Sequence, residues 1–238
     1  MILSIKFIKK VLHAKSAQLY FHSVATAELA ASIIMSCREF GVEYGVSIRE
    51  AYLGGLVHDI GKLYIPESIL NKAEGLTSRE WETIKLHPVW GKVLVEGTRL
   101  EFLMPAITQH HEGGACVGYP FGLKNHQINP LGKLIAVADS ASALLEDRAY
   151  RRSIPDPLLV FSMIKHDVEA LLDNRAIKPV EHAIIQYMNI CNKRKAKAER
   201  LSGRFFQRLI DLESCGARTE EQKSGLRLVI CGQTRITT

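Results

Sequence analysis

The sequence predicts an all-α protein, a helical bundle extended by further helices toward its C-terminal end. Two observations lead to this. Apolar residues recur at helical spacing along nearly the whole chain. Capping residues, glycines and prolines fall where such helices would begin and end. The composition agrees: 238 residues, 47% hydrophobic and 24% charged, give an ordinary globular balance and enough chain to bury a substantial core without disulfides.

The N-terminal stretch Met1 to Leu12 mixes Ile, Leu and Phe with Lys6, Lys9 and Lys10. These lysines interrupt any signal-peptide core, so residues 1–15 are expected to form an amphipathic helix. Its apolar side is expected to pack on the domain, with contact to a membrane surface or partner as the alternative. From Ser16 to Phe40, Leu19, Leu29 and Ile33 form one stripe with His22 and Thr26, which turns His22 inward. Gly41 and Gly45 end that helix, and Ile48 to His58 forms the next. Pro66 opens a short turn that ends near Leu70.

Thr77 and Glu80 have the spacing of a capping box. The helix they start is expected to carry Trp81, Ile84, His87 and Gly91 on one inward stripe, with a kink at Pro88. Leu100 to His111 is expected to be a short helix that delivers His110 and His111 at its end. The glycines and proline between Gly113 and Gly122 demand a loop. Pro130 to Asp147 fits a helix buried on most sides, with Asp139 at its middle. Pro155 and Pro157 start a helical stretch to about Leu172, Val180 to Leu212 is helical again, and Thr219 to Thr238 is expected to be loosely ordered.

Five scattered cysteines without a CxxC pair suit a reducing compartment, so a cytoplasmic location is expected. No uninterrupted apolar run approaches the roughly 20 residues of a membrane span, so no transmembrane segment is expected. The net charge of +6 gathers late, around Lys193, Arg194, Lys195, Lys197 and Arg200. Aromatic interleaving there is limited to Phe205 and Phe206, so a solvated helix face is expected rather than nucleic-acid binding. No sensory domain is expected ahead of the bundle, so regulation is expected from another chain, from expression or from the N-terminal helix.

The chemistry lies in the histidines. Five of the nine, His22, His58, His87, His110 and His111, take inward or helix-end positions, and Asp59 and Asp139 join them. One buried imidazole needs only a hydrogen-bond partner, but five in one helical domain call for another account. Histidine and carboxylate sets suit Fe, Mn, Zn, Ni or Co, and seven such donors exceed the needs of one ion. The reading is a binuclear centre in which Asp59 bridges. Neighbouring helical residues lie about 100° apart, so His58 and Asp59 share a pocket only where a helix ends. Gly61 is read as the stop that turns the chain there. Paired ions roughly 3.5–4 Å apart support in-line displacement at phosphorus. Lys62 would add fixed positive charge at a non-bridging phosphate oxygen.

The run His58-Asp59-Ile60-Gly61-Lys62, with His110-His111-Glu112 and Gly118-Tyr119-Pro120 in this order and spacing, resembles the HD-GYP family. Ile65 to Lys72, Leu86-His87-Pro88 and Ile135 to Asp139 extend the resemblance, which covers about Tyr20 to Arg152. It implies an HD-domain helical bundle and hydrolysis of cyclic di-GMP to pGpG or GMP at two divalent metal ions, often iron or manganese. By position, one ion would take His22, His58, Asp59 and Asp139, and the other Asp59, His87, His110 and His111. Asp59 and Lys62 would be the catalytic residues. Lys62, Tyr119, Arg148 and Arg151 would meet the substrate, and the Gly118-Tyr119-Pro120 loop would contact diguanylate cyclase domains. The domain organisation it implies is an N-terminal helix over 1–15, a catalytic domain over 16–195, and a C-terminal helix with its tail over 196–238.

The chain also departs from that family. Gln18 stands where a third-metal glutamate is often found, Ala115-Cys116 replace an Asp-Gly, Ser142 replaces an aspartate, and Ala149 replaces a proline. Fewer carboxylates imply two metals rather than three and slower turnover than a full-consensus member; the alternatives are a weak or inactive member that signals by binding partners, which Ala115, Cys116 and Ser142 favour, and a phosphohydrolase for another nucleotide. Glu112 is read either as a carboxylate that orients a ligand histidine or as a loop carboxylate. Tyr119 either stacks on a guanine or holds the loop. Cys116 is read as an inert small residue, and His13, His126, His166 and His182 as ordinary surface or core histidines.

Overall fold

The structure is a computed structural model that describes residues 4–72, 74–113, 118–145 and 156–194. Among these residues every regular element is helical. The order is α1 (Ile5–Lys15), α2 (Ala17–Glu39), α3 (Ile48–Val57), α4 (Glu67–Leu70), α5 (Ser78–Ile84), α6 (His87–Val95), α7 (Met104–Gln109), α8 (Pro130–Leu145) and α9 (Pro157–Leu171). Short 3-10 turns occupy Ile60–Tyr64, Glu101–Leu103, Asn125–Gln127 and Asn174–Ala176. The chain divides into two compact units, Met1–Met188 and Asn189–Thr238. Residues 177–188 close the first unit as a helix, and the described part of the second, residues 189–194, is helical.

Local chemistry accounts for the boundaries. The Ser4 hydroxyl accepts from the Phe7 amide and starts α1, which buries Ile8 and Leu12 as an amphipathic helix should. The Ser16 hydroxyl starts α2 in the same way. That helix ends in a paired stop: Val42 N–H donates to the Cys37 carbonyl at 2.7 Å and Gly41 N–H to the Arg38 carbonyl at 3.0 Å. The pairing needs a left-handed residue at its centre, and Gly41 supplies it at φ +70°. Ser47 and Glu50 close a capping box on α3, and Thr77 and Glu80 close the expected one on α5.

The core lies between α2, α3, α7 and α8, where Leu29, Ile33, Leu56, Ile107, Leu134 and Ile135 are all but inaccessible. Each such side chain contributes roughly 1.5–3 kcal/mol by leaving water. Helix α2 is long and apolar enough to cross a membrane, but half of its apolar window is buried inside the fold. It packs there on α3 and α8 as a core helix. The α2–α3 contact is close because Gly55 has no side chain: a Cβ there would lie 2.6 Å from the Ala27 Cα. This approach sets His22 of α2 beside His58 at the end of α3, with ring centroids 5.2 Å apart.

Two expected helices are each broken. The stretch from Thr77 through Gly91 is not one kinked helix: α5 stops at Ile84, and α6 starts afresh at His87 with Pro88 in its first turn. Proline has no N–H to donate back to the Ile84 carbonyl, and its ring would collide with that carbonyl, so the first turn is where it fits. Leu100 to His111 is likewise a 3-10 turn followed by α7, with Pro105 in the first turn of the new helix.

Candidate metal centre

Helix ends deliver most of the donors. His58 follows the last residue of α3 and Asp59 opens the 3-10 turn Ile60–Tyr64, so the two neighbours point into one space. His87 begins α6, His110 follows α7, and His111 comes next. His22 and Asp139 face the same space from within α2 and α8. Gly61 is not the turn-making stop expected from the sequence. It lies inside the 3-10 turn without positive φ, and its role is close approach. A methyl group there would overlap the His87 carbonyl oxygen and crowd the Gly91 nitrogen. The missing side chain lets the His58–Asp59 corner lie against α6 and bring His87 to it.

Three imidazoles are held by one local rule. The last carbonyls of a helix have no partner within the helix. His58 Nδ1–H donates to the Gly55 carbonyl at 2.7 Å, His87 Nδ1–H to Ile84 at 2.8 Å and His110 Nδ1–H to Ala106 at 2.9 Å. Each of these carbonyls lies in the last turn of α3, α5 or α7. A ring that gives its Nδ1 proton to a carbonyl carries a lone pair on Nε2 when neutral. All three Nε2 atoms are thereby free to bind a cation, in the arrangement that orients metal-binding histidines.

The donors fall into two groups, Asp59 with His87, His110 and His111, and His22 with His58 and Asp139; within each group one ligand atom per residue lies within 4.8 Å of the others. The Asp59 carboxylate faces both. Its Oδ1 lies 3.2 Å from His87 Nε2 and 3.9 Å from His110 Nε2. Its Oδ2 lies 3.4 Å from His58 Nε2 and 3.8 Å from His22 Nε2. On the second side, His22 Nε2 is 2.8 Å from Asp139 Oδ1. The Lys62 ammonium lies on Asp59 Oδ2 at 2.6 Å.

These contacts fit cations. The facing Nε2 atoms of His87 and His110 are 3.2 Å apart, and neither neutral ring has a proton to place between them. His58 Nε2 and Asp59 Oδ1 are buried without a hydrogen-bond partner among the described residues. Burial pushes His87 down to about 3 and His111 down to about 4, and it holds His110 well below the ordinary histidine range. The rings are therefore neutral at pH 7, the form that ligates metal. Burial pushes the Asp59 carboxyl up, but the Lys62 ammonium beside it outweighs burial and keeps Asp59 ionised far below its usual range. The same contest at Asp139 is decided by its hydrogen bond to His22.

All seven donors expected from the sequence thus surround one space, and Lys62 lies beside them. Tyr119 stacks on His111 with centroids 4.6 Å apart and planes 24° from parallel, and its amide donates to the His111 carbonyl at 3.1 Å. Burial raises its phenol above the ordinary tyrosine range. Arg148, Arg151, Ala115, Cys116 and Ala149 lie outside the described residues. Ser142 is buried, with its hydroxyl 2.7 Å from that of Thr26. Glu112 is the loop carboxylate of the two expected readings: it is buried and accepts from the Phe121 amide at 2.6 Å and the Leu123 amide at 2.8 Å.

Sequence reasoning missed the carbonyl anchors, although histidines three or four residues past a late helical position are a signal for them. It also missed a cavity of about 250 Å³ that opens on His22, Asp59 and Lys62 and has Leu70, Trp81 and Ile84 as its apolar wall.

Fold and donor set define a helical HD domain, and comparison with known families agrees. Residues 8–166 match the family described as HD domain, and the chain belongs to that family. Among curated relatives, it is 38% identical over 135 residues to a cyclic di-GMP phosphodiesterase of Pseudomonas aeruginosa, a match covering 56% of this chain and 32% of that protein. It is 31% identical over 188 residues to 3'3'-cGAMP-specific phosphodiesterase 1 of Vibrio cholerae, covering 76% of this chain and 41% of the relative. The chain therefore spans about two-fifths or less of these proteins' length. Among solved structures, the HD domain of the L. monocytogenes phosphodiesterase PgpH superposes with a TM-score of 0.55 at 17% identity, covering 78% of this chain and 98% of that one. At that identity the likeness shows the fold alone.

Proposed function

We propose that this chain is a metal-dependent phosphodiesterase that hydrolyses cyclic di-GMP, to pGpG or GMP, at a site for two divalent ions, iron or manganese. The observation that carries the reading is the two-sided placement of Asp59, one carboxylate oxygen toward His87 and His110 and the other toward His22 and His58. One ion would be held by His22, His58, Asp59 and Asp139, the other by Asp59, His87, His110 and His111. Bound there, the ions would supply Lewis acidity at the phosphoryl group and acidify an attacking water.

The chain's own groups have separate tasks. The Nδ1 anchors fix three rings with Nε2 turned into the site, so the donors need no rearrangement to load. Lys62, half-buried beside Asp59, would meet a non-bridging phosphate oxygen and offset charge that grows during displacement. Tyr119 steadies His111 by stacking and closes one side of the site. Arg148 and Arg151 are assigned to the substrate phosphates by resemblance. The Gly118-Tyr119-Pro120 loop, with exposed Phe121 beside it, is assigned to contacts with diguanylate cyclase domains.

A second substrate, 3'3'-cGAMP, has support of its own, since the relative named for that specificity aligns over 76% of this chain. Elemental analysis of protein purified without oxygen, followed by hydrolysis time courses on cyclic di-GMP, 3'3'-cGAMP and cyclic di-AMP, tests both readings. The expected result is about two ions per chain and preferred hydrolysis of cyclic di-GMP. Asp59→Asn should abolish turnover and reduce metal content. Normal hydrolysis by that variant would overturn the mechanism, and preference for 3'3'-cGAMP would select the second substrate.

A further inference from the structure

The cavity beside the donor set has a wall that neither metal nor phosphate accounts for. Leu70, Trp81 and Ile84 form it, across from His22, Asp59 and Lys62. Because α5 stops at Ile84, Trp81 does not share the inward stripe expected with His87. None of the residues of α5 is buried, and Trp81 keeps 45% of its surface exposed. The wall is nevertheless held in place. Lys72 Nζ donates to both Glu80 oxygens, at 2.8 and 3.0 Å, which ties the start of α5 to the end of α4. The Ser16 hydroxyl donates to Asn71 Oδ1 at 3.3 Å, which ties that segment to the start of α2. An indole is thus kept in a recess next to the phosphate-binding groups, with its apolar surface still in water.

We propose that Trp81 is the base-stacking platform of the substrate site: its indole face holds one purine base of the cyclic dinucleotide, with Leu70 and Ile84 beside it, while the adjoining phosphate reaches Lys62 and the donor set. This rests on the reading of the substrate as a cyclic dinucleotide. The cavity, about 250 Å³, falls below the roughly 300–1,000 Å³ of pockets that enclose whole drug-sized ligands. It therefore takes one base side of the ligand and leaves the other half outside. Every base offers a π-face, so an indole platform supplies affinity without reading the base edge. Gln18, on the cavity lining, adds an amide donor and acceptor and no negative charge to oppose the phosphates.

The chain has two tryptophans, so in a Trp90→Phe background the emission reports Trp81 alone. Manganese-loaded protein of that background is mixed with cyclic di-GMP in a stopped-flow fluorimeter, and steady-state kinetics are measured for Trp81→Ala and Trp81→Phe. The expected results are a saturable change in emission before turnover and a KM raised roughly 5- to 160-fold in Trp81→Ala, the range of base–aromatic stacking. The same variant should keep kcat within about two-fold and its melting temperature, and Trp81→Phe should recover most of the affinity. Silent emission at a saturating ligand concentration, or an unchanged KM in Trp81→Ala, overturns the stacking role while leaving the hydrolase reading intact. A wild-type chain that neither binds nor hydrolyses any cyclic dinucleotide overturns both.

Discussion

Metal-free protein should lose stability steeply in mild acid, and His87 sets the scale. In the unfolded chain its imidazole titrates near 6.5, whereas burial in the folded chain holds it down to about 3. A group whose folded pKa is depressed in this way binds its proton more tightly when unfolded. Above pH 6.5 both states are neutral and the group contributes nothing to pH dependence. Below it the unfolded state gains protons, and stability falls until about pH 3. At 1.36 kcal/mol per unit, the loss between pH 8 and pH 5 is about 2 kcal/mol from His87 alone, and about 5 kcal/mol once the native ring also titrates. His110 and His111 are shifted the same way by burial and add to it. Asp59 and Asp139, also shifted down, lose stability in the same direction, but only as the pH falls toward the ordinary carboxylate range, around 4.

The assay is urea unfolding of chelator-treated protein at pH 8, 6.5 and 5. His87→Asn is the control, since its amide can replace Nδ1–H as donor to the Ile84 carbonyl without titrating. Wild type should lose at least about 2 kcal/mol between pH 8 and pH 5, and the variant about 2 kcal/mol less than wild type. Equal pH slopes in the two proteins would refute the account of His87 as a neutral ring forced by burial. Loading with manganese should raise the wild-type curve above pH 6, because a ligand that binds only the native state stabilises it.

Removing the Glu112 carboxylate with Glu112→Ala strands the Phe121 and Leu123 amides; the expected loss is about 2–4 kcal/mol by urea unfolding, with a rise in KM as the loop beside Tyr119 loosens. Gly61→Ala forces the 3-10 turn away from the start of α6; a loss of about 1–3 kcal/mol and a lower metal content are expected, while Gly75→Ala, which meets open space, should leave both unchanged.

Much of the site could be read from the chain because its donors are chemically distinctive. Histidines and aspartates among apolar residues mark themselves, and helical spacing alone turns His22 inward. The breaks were harder to read. The period of α5 runs smoothly into α6, and only the proline geometry at Pro88 shows that Ile84 and His87 belong to different helices. For the same reason Trp81 was expected to join the core and instead faces a cavity. Glu112 gave no local signal that chose between its two readings, since the amides it binds lie nine and eleven residues on.

The sequence by itself determined the all-α class, the seven donors and the helix ends that carry most of them, because periodicity, capping and side-chain chemistry are local properties. Only the tertiary structure decided how the donors divide. Which oxygen of Asp59 faces which histidines depends on the bare contacts at Gly55 and Gly61, where helices from distant parts of the chain meet without side chains between them. The His58–Asp59 pair is written in the chain, but its two-sidedness is made by packing.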